Sequence, residues 1–262
     1  MEPINILWLI LGLLGSFLSG SIPYSVIIGR LATGKDLRNF NIGNPGGFNA
    51  VMTYGVPIGM TILFIDVIKG FIPIALLDFI FSLPQFMNDD PIWHILAVTI
   101  GPAVCILGHN HSPFLKFKGG RGSAVFIGTL FWMNPLILLV FLFPFGIMIG
   151  LFKVPTRVSN ILAVVFFVPA SMFLTFSPPW NWLYDPSFNW IIDVGGKVTL
   201  LMVPFFITLG MWLAWLPRHW PSLIAAIRGE EWTLKVTEGQ QFPEQFDTKK
   251  EMAVTPEEKD SE

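Results

Sequence analysis

Cysteine is nearly absent. Cys105 is the one cysteine in 262 residues, so no intrachain disulfide can form. Charge is scarce too: Asp, Glu, Lys and Arg make up 13% of the chain, about half of the ~25% typical of soluble domains. With 53% hydrophobic residues and a mean hydropathy of +0.62, the chain lacks the polar residues to cover a water-facing surface, which excludes a soluble fold. No Gly-x-Ser-x-Gly elbow and no Walker loop occur, which removes the serine-hydrolase and P-loop readings. His109 and His111 form an H-x-H pair without a nearby acidic or cysteine partner, so neither a metal site nor a cofactor is expected. The net charge of −2 averages two unlike membrane sides and points to no nucleic-acid partner.

Long apolar runs are what the chain has instead. They lie near 5–31, 54–77, 92–111, 136–152, 160–177 and 198–216. A shorter run, 123–133, would make a helix of roughly 17 Å, too short to cross a hydrocarbon core of about 30 Å alone. The first run has no basic segment before it and reads as a span, not a cleaved signal peptide. The expectation is an all-α integral membrane protein, a seven-span helical bundle with one short span. Of the 16 Lys and Arg, all but Lys69 and Lys197 fall on one side of this bundle, and Asp78, Asp89, Asp90, Asp185 and Asp193 lie in the loops opposite. The positive-inside rule then places the N-terminus outside and the C-terminus in the cytoplasm. Residues 1–228 form the membrane domain, and 229–262 read as a polar cytoplasmic tail, partly disordered.

The basic side is also the glycine side. The stretch Gly108–Ser123, GHNHSPFLKFKGGRGS, places Lys116, Lys118 and Arg121 among Gly119, Gly120 and Gly122 at one end of a span. Glycine lets backbone N–H groups approach a ligand closely, and the cations supply charge, which suits a phosphate whose tail lies in lipid. The plainer alternative is a positive-inside loop with a flexible turn. A second loop, Gly34–Ala50, carries Gly43, Gly46 and Gly47 with Asn44 and Asn49, and Pro45 forbids a regular helix through its centre. It would line a cavity or lie at the interface, or be an ordinary interhelical turn. In Lys153–Asn160, Thr156, Arg157 and Ser159 stand at a helix entrance, where Ser159 could equally be an N-cap. In Leu216–Trp220, Arg218 and His219 are either site residues or interface anchors. Asp66 and Lys69, at i and i+3 inside the second span, are expected to pair facing the bundle interior.

Taken together these segments resemble the bacterial acyl-phosphate-dependent glycerol-3-phosphate acyltransferases, the PlsY family. The matching pieces are Gly20–Leu31, the GNPGGFNA loop, Asp66–Gly70, Gly108–Gly122, Thr156–Asn160, and Arg218–Trp220 followed by Gly229–Glu231, in family order. The resemblance departs most in the first glycine loop. There Ile42, Phe48 and Met52 stand where the family pattern has serine, threonine and arginine, and farther on Arg121 replaces a lysine and Ser222 an asparagine.

The resemblance implies a seven-span enzyme of the cell inner (cytoplasmic) membrane, multi-pass. It would move a fatty acyl group from acyl phosphate to the 1-hydroxyl of glycerol 3-phosphate, giving lysophosphatidic acid in phospholipid synthesis. Its partners would be those two substrates and membrane lipid, with protein partners undetermined. Arg121, Ser159 and His219 are the implied catalytic residues. The implied substrate-binding residues are Gly43, Asn44, Gly46, Gly47, Asn49, Lys116, Gly119, Gly120 and Gly122. The departures keep open a catalytically impaired paralog that retains the scaffold and binds lipid or a partner. A small-molecule transporter is the third reading, for which the inverted repeats are missing.

Overall fold

The structure, a computed structural model, describes residues 3–41, 43–87, 92–133, 135–152, 154, 156–164 and 202–228. Among these the chain is helical, with no strand. The helices are α1 (Pro3–Ser21), α2 (Tyr24–Thr33), α3 (Gly47–Tyr54), α4 (Val56–Phe81), α5 (Pro84–Met87), α6 (Ile92–Asn110), α7 (Ser123–Met133), α8 (Pro135–Gly150), α9 (Thr156–Leu162) and α10 (Met202–Ile227). Short 3-10 turns occupy Leu37–Asn39 and Pro113–Leu115. Among the described residues three stretches are long and apolar enough to cross a membrane, Ile4–Thr33, Val56–Phe81 and Ile92–Leu115, and Ser123–Met133 is a shorter apolar helix. The tail 229–262, residues 165–177 of the run 160–177, the loop 178–197 and the start of the last run, 198–201, lie outside the described residues, as do Lys153 and Ile42.

Between apolar helices in lipid there is little hydrophobic gain, so association relies on close packing at small residues. Here that contact is made by pairs of glycines. α1 crosses α6 where a Cβ on Gly20 would strike the Cys105 carbonyl and one on Gly108 the Phe17 carbonyl. α4 crosses α7 where Gly70 faces the Val125 carbonyl and Gly128 the Val67 carbonyl. Ile106, Phe126, Leu130, Met211 and Trp215 fill the core that α6, α7 and α10 share.

Four sequence expectations are corrected. The first apolar run is broken at Ile22-Pro23 into α1 and α2. Proline has no N–H to continue the ladder, and the Ile22 carbonyl accepts both from the Tyr24 N–H at 3.1 Å and from Lys69 Nζ at 2.9 Å. Asp78, read as part of a loop, lies inside α4, where His94 Nε2 of α6 sits 2.7 Å from its carboxylate and lets the helix continue past it. The last span, read as ending at 216, continues through Pro217 and Pro221 to Ile227, its final turns tied down by Arg218. Ser159 is not the N-cap of α9, which already starts at Thr156; its hydroxyl donates to the Val154 carbonyl at 3.2 Å.

Candidate active site

Two loops lead directly into helices. The first, residues 34–46, is built around Asn49. This fully buried side chain donates through Nδ2 to three carbonyls, of Asn44 (3.0 Å), Leu37 (3.3 Å) and Phe40 (3.3 Å). Gly43 adopts φ +64°, a left-handed conformation that glycine takes without steric cost. Gly46 is extended and precedes α3, and a Cβ there would crowd the Asn44 amide. Gly47 opens α3 and packs against Leu63 of α4. Asn41, at φ +49°, is anchored by its own amide to the Thr53 hydroxyl at 2.8 Å.

At the edge of this loop Asp36 holds two cations. Arg30 approaches it at 2.5 Å and Arg38 at 2.7 Å, and its carboxylate also accepts from the Arg38 backbone N–H. The Arg38 guanidinium hydrogen bond is the largest influence holding the Asp36 carboxyl well below the usual carboxylate range, against a smaller opposing effect of burial. Of the substituted positions, Phe48 projects outward, 55% exposed, and Met52 is half-buried.

The second loop, residues 111–122, folds back on the end of α6. Its glycine N–H groups are not directed at open space. Gly119 donates to the Asn110 carbonyl (3.2 Å) and Gly120 to the His109 carbonyl (3.1 Å), satisfying helix-end acceptors that would otherwise lack partners. A Cβ on Gly120 would collide with the buried His109 ring, so glycine is required there for close approach. Lys116 and Phe117 both have positive φ, +52° and +60°, which costs energy for non-glycine residues. The turn is held by Phe117 N–H on the Ser112 carbonyl at 2.8 Å and by Arg218, whose guanidinium reaches the Asn110 carbonyl at 2.5 Å. His109 and His111 diverge, one buried and the other exposed.

Gly122, at φ +79°, then delivers the chain into α7. At this point His219 closes on the loop. Its Nε2 lies 3.3 Å from the Arg121 carbonyl and 3.4 Å from the Ser123 hydroxyl. A carbonyl can only accept, so Nε2 carries the proton in this arrangement. One helical turn earlier, Trp215 stacks on the imidazole, ring centroids 3.6 Å apart and 17° between planes, and its indole N–H donates to Ser123 at 3.2 Å. Arg121 and His219 are thus brought together with Gly119, Gly120 and Gly122. Ser159 is buried on α9, which packs against α10, and uses its hydroxyl locally. The sequence reading missed Asn110, Ser123 and Trp215. Trp215 was detectable, since it stands at i, i+4 from His219 on one helix. Asn110 was not, because its role is to bind the Ala214 carbonyl at 2.8 Å, 104 residues away.

Fold and loops define a helical integral membrane protein with two basic, glycine-rich loops, each running into a helix N-terminus. The chain belongs to the glycerol-3-phosphate acyltransferase family, whose profile it matches over residues 10–229. It is similar to the glycerol-3-phosphate acyltransferase of the Aster yellows witches'-broom phytoplasma, 30% identical over 222 residues, covering 82% of this chain and 91% of the relative. It is 34% identical over 158 residues to the enzyme of that name from Staphylococcus aureus strain Newman, covering 60% and 76%. In fold it resembles the crystal structure of PlsY (YgiH), an integral membrane glycerol 3-phosphate acyltransferase, in its glycerol 3-phosphate form. That likeness has a TM-score of 0.60 at 24% identity and covers 84% of this chain and 92% of the other.

Proposed function

We propose that this chain is a membrane acyltransferase that moves a fatty acyl group from acyl phosphate to the 1-hydroxyl of glycerol 3-phosphate. The observation that carries the reading is that both glycine loops end on helix N-termini, at Gly47 of α3 and Ser123 of α7. A helix N-terminus offers unpaired N–H groups and a positive dipole end to a phosphate. The reaction presents two phosphates, and the chain has two such ends. The N–H groups of Gly43 and Gly46 in the first loop and of Gly119 and Gly120 in the second are already used internally, which favours phosphate contact at the first turns of α3 and α7 with Arg121 and Lys116.

In the transfer, the 1-hydroxyl oxygen bonds to the acyl carbon, the bond from that carbon to the phosphate oxygen breaks, and the hydroxyl proton leaves with the departing phosphate. The products are lysophosphatidic acid and inorganic phosphate. Acyl phosphate is a mixed anhydride and arrives activated, so alignment and charge stabilisation are sufficient without a covalent intermediate on the protein. Arg121 offsets the charge that develops on the carbonyl and leaving phosphate. His219 holds the reacting groups in register, and Ser159, whose hydroxyl donates to the Val154 carbonyl, would take part through its oxygen as an acceptor. Gly43, Asn44, Gly46, Gly47 and Asn49 shape one pocket, and Lys116, Gly119, Gly120 and Gly122 the other. The basic loops support seven spans with the N-terminus outside and the C-terminus in the cytoplasm of a bacterial inner membrane, as a single membrane domain over 1–228 with a tail over 229–262.

The impaired-paralog reading has one observation in its favour. Phe48 and Met52 bring no charge to the first loop, and Arg38, a nearby cation that could replace the missing one, is engaged by Asp36. Purified protein supplied with acyl phosphate and glycerol 3-phosphate should release phosphate and form lysophosphatidic acid in equal amounts. No lysophosphatidic acid from wild type, but formation by the Ile42→Ser, Phe48→Thr, Met52→Arg triple variant, would establish the impaired paralog. A wild type faster than the triple variant would show that the first loop binds its phosphate without those side chains.

A further inference from the structure

The break between α1 and α2 is clamped from three directions. Two successive carbonyls at the end of α1 are used by different elements: that of Ser21 accepts from the Ser112 hydroxyl at 2.6 Å, and that of Ile22 from Lys69 Nζ at 2.9 Å. Three residues later the Ser25 hydroxyl donates to the Pro45 carbonyl at 3.0 Å. Ser112 opens the second glycine loop, and Pro45 lies inside the first. The five-residue segment Ser21–Ser25 therefore touches both loops, and the charged side chain of Lys69 holds it to α4. Ser21, Ser25, Ser112 and Lys69 are all buried. Lys69 is kept in place by Asp66, 2.8 Å away, and lies over the Tyr24 ring at 5.7 Å.

We infer that Lys69 is a positioning residue that sets the distance between the two glycine loops, by fixing the α1–α2 break against α4. The inference rests on the proposed assignment of both loops to one site. A purely structural ion pair would need no third partner: Asp66 and Lys69 share one helix face and could neutralise each other there. Here the ammonium instead divides its hydrogens between the carboxylate of its own helix and a backbone carbonyl of another. That carbonyl also accepts from the Tyr24 N–H at 3.1 Å across Pro23, so the ammonium takes its second lone pair. The burial of a charged pair supplies a directional anchor that an apolar side chain could not. Separation of two bound phosphates is the quantity such an anchor would control, since a displacement of about 1 Å can cost on the order of 10²-fold in rate.

The test reads the distance itself. Cys105 is buried, so spin labels can be placed on Phe48→Cys beside the first loop and Phe117→Cys in the second, both exposed. Electron–electron double resonance in lipid nanodiscs should give one narrow distance distribution. In the Asp66→Asn, Lys69→Met background, which leaves no uncompensated buried charge, the distribution should broaden or shift while the thermal midpoint stays near wild type. Lys69→Arg, which keeps the donor, should restore the narrow distribution. Activity of the unlabelled double variant should fall on the order of 10²-fold, in kcat more than in KM. An unchanged distribution in a folded double variant overturns the inference. If the double variant does not fold, Ser112→Ala and Ser25→Ala each cut one arm of the clamp, and narrow distributions in both overturn it equally. A wild type without transferase activity counts against the proposed reaction alone, because the distance measurement does not depend on turnover.

Discussion

Asn49 shows what one side chain does in this protein. With no exposure and three carbonyls on one amide nitrogen, it is the internal frame of the first glycine loop. Each such hydrogen bond is worth about 0.5–1.5 kcal/mol net, so Asn49→Ala should destabilise by about 2–4 kcal/mol, read as a lower thermal midpoint in detergent. Asn49→Asp should be at least as damaging, because a carboxylate places two acceptors against three others. Asp36 organises the neighbouring turn by charge. Its folded pKa is depressed by Arg38, so its contribution is fully present above the ordinary aspartate range near 3.9 and is lost as pH falls through and below it. The gap in thermal midpoint between wild type and Asp36→Asn should therefore stay constant from pH 7 to about 4.5 and begin to narrow only below about pH 4, with most of it still present at pH 3. A gap that has already closed at pH 5 would contradict this. These two residues were unequally legible. The resemblance implied substrate binding for Asn49, whereas its amide N–H groups are spent on the loop itself, a fact that depends on three carbonyls placed by folding.

At the scale of helices, backbone proximity controls packing. A Cβ on Gly70 would overlap the Val125 carbonyl, whereas one on Gly146 meets nothing within 4 Å. Gly70→Ala should then cost about 1–3 kcal/mol through forced separation of α4 and α7. Gly146→Ala should be neutral or stabilising by up to about 1 kcal/mol through helix propensity. Comparison of the two melting curves checks the glycine-crossing account, and similar shifts would refute it. Apolar length located α4 and α6 well. It missed the α1–α2 interruption at Pro23 and stopped α4 at 77, short of Phe81, where Asp78 has its partner His94 on another helix.

For the whole molecule, the distribution of lysine and arginine makes a topological prediction that labelling can check. Gln85 and Phe117 are both exposed, at opposite ends of the α4–α6 region in the proposed seven-span arrangement. A membrane-impermeant maleimide applied to intact spheroplasts should modify Gln85→Cys and spare Phe117→Cys until the membrane is opened. The reverse pattern would invert the proposed orientation. In that proposed orientation both glycine loops, Arg30, Arg38, Lys116 and Arg121 would face the cytoplasm, and acyl chains would enter from the lipid.

The sequence by itself determined that the chain is helical and membrane-embedded, and which family it belongs to. Those properties reside in composition, run length and local motifs, each readable within some twenty residues. Tertiary structure alone decided where the glycine N–H groups point, that His219 grips the Arg121 carbonyl and the Ser123 hydroxyl, and that Lys69 reaches a carbonyl 47 residues away. A hydrogen bond needs its two atoms within about 3 Å in a fixed direction. No pattern of residue types along the chain encodes that meeting until the helices have packed.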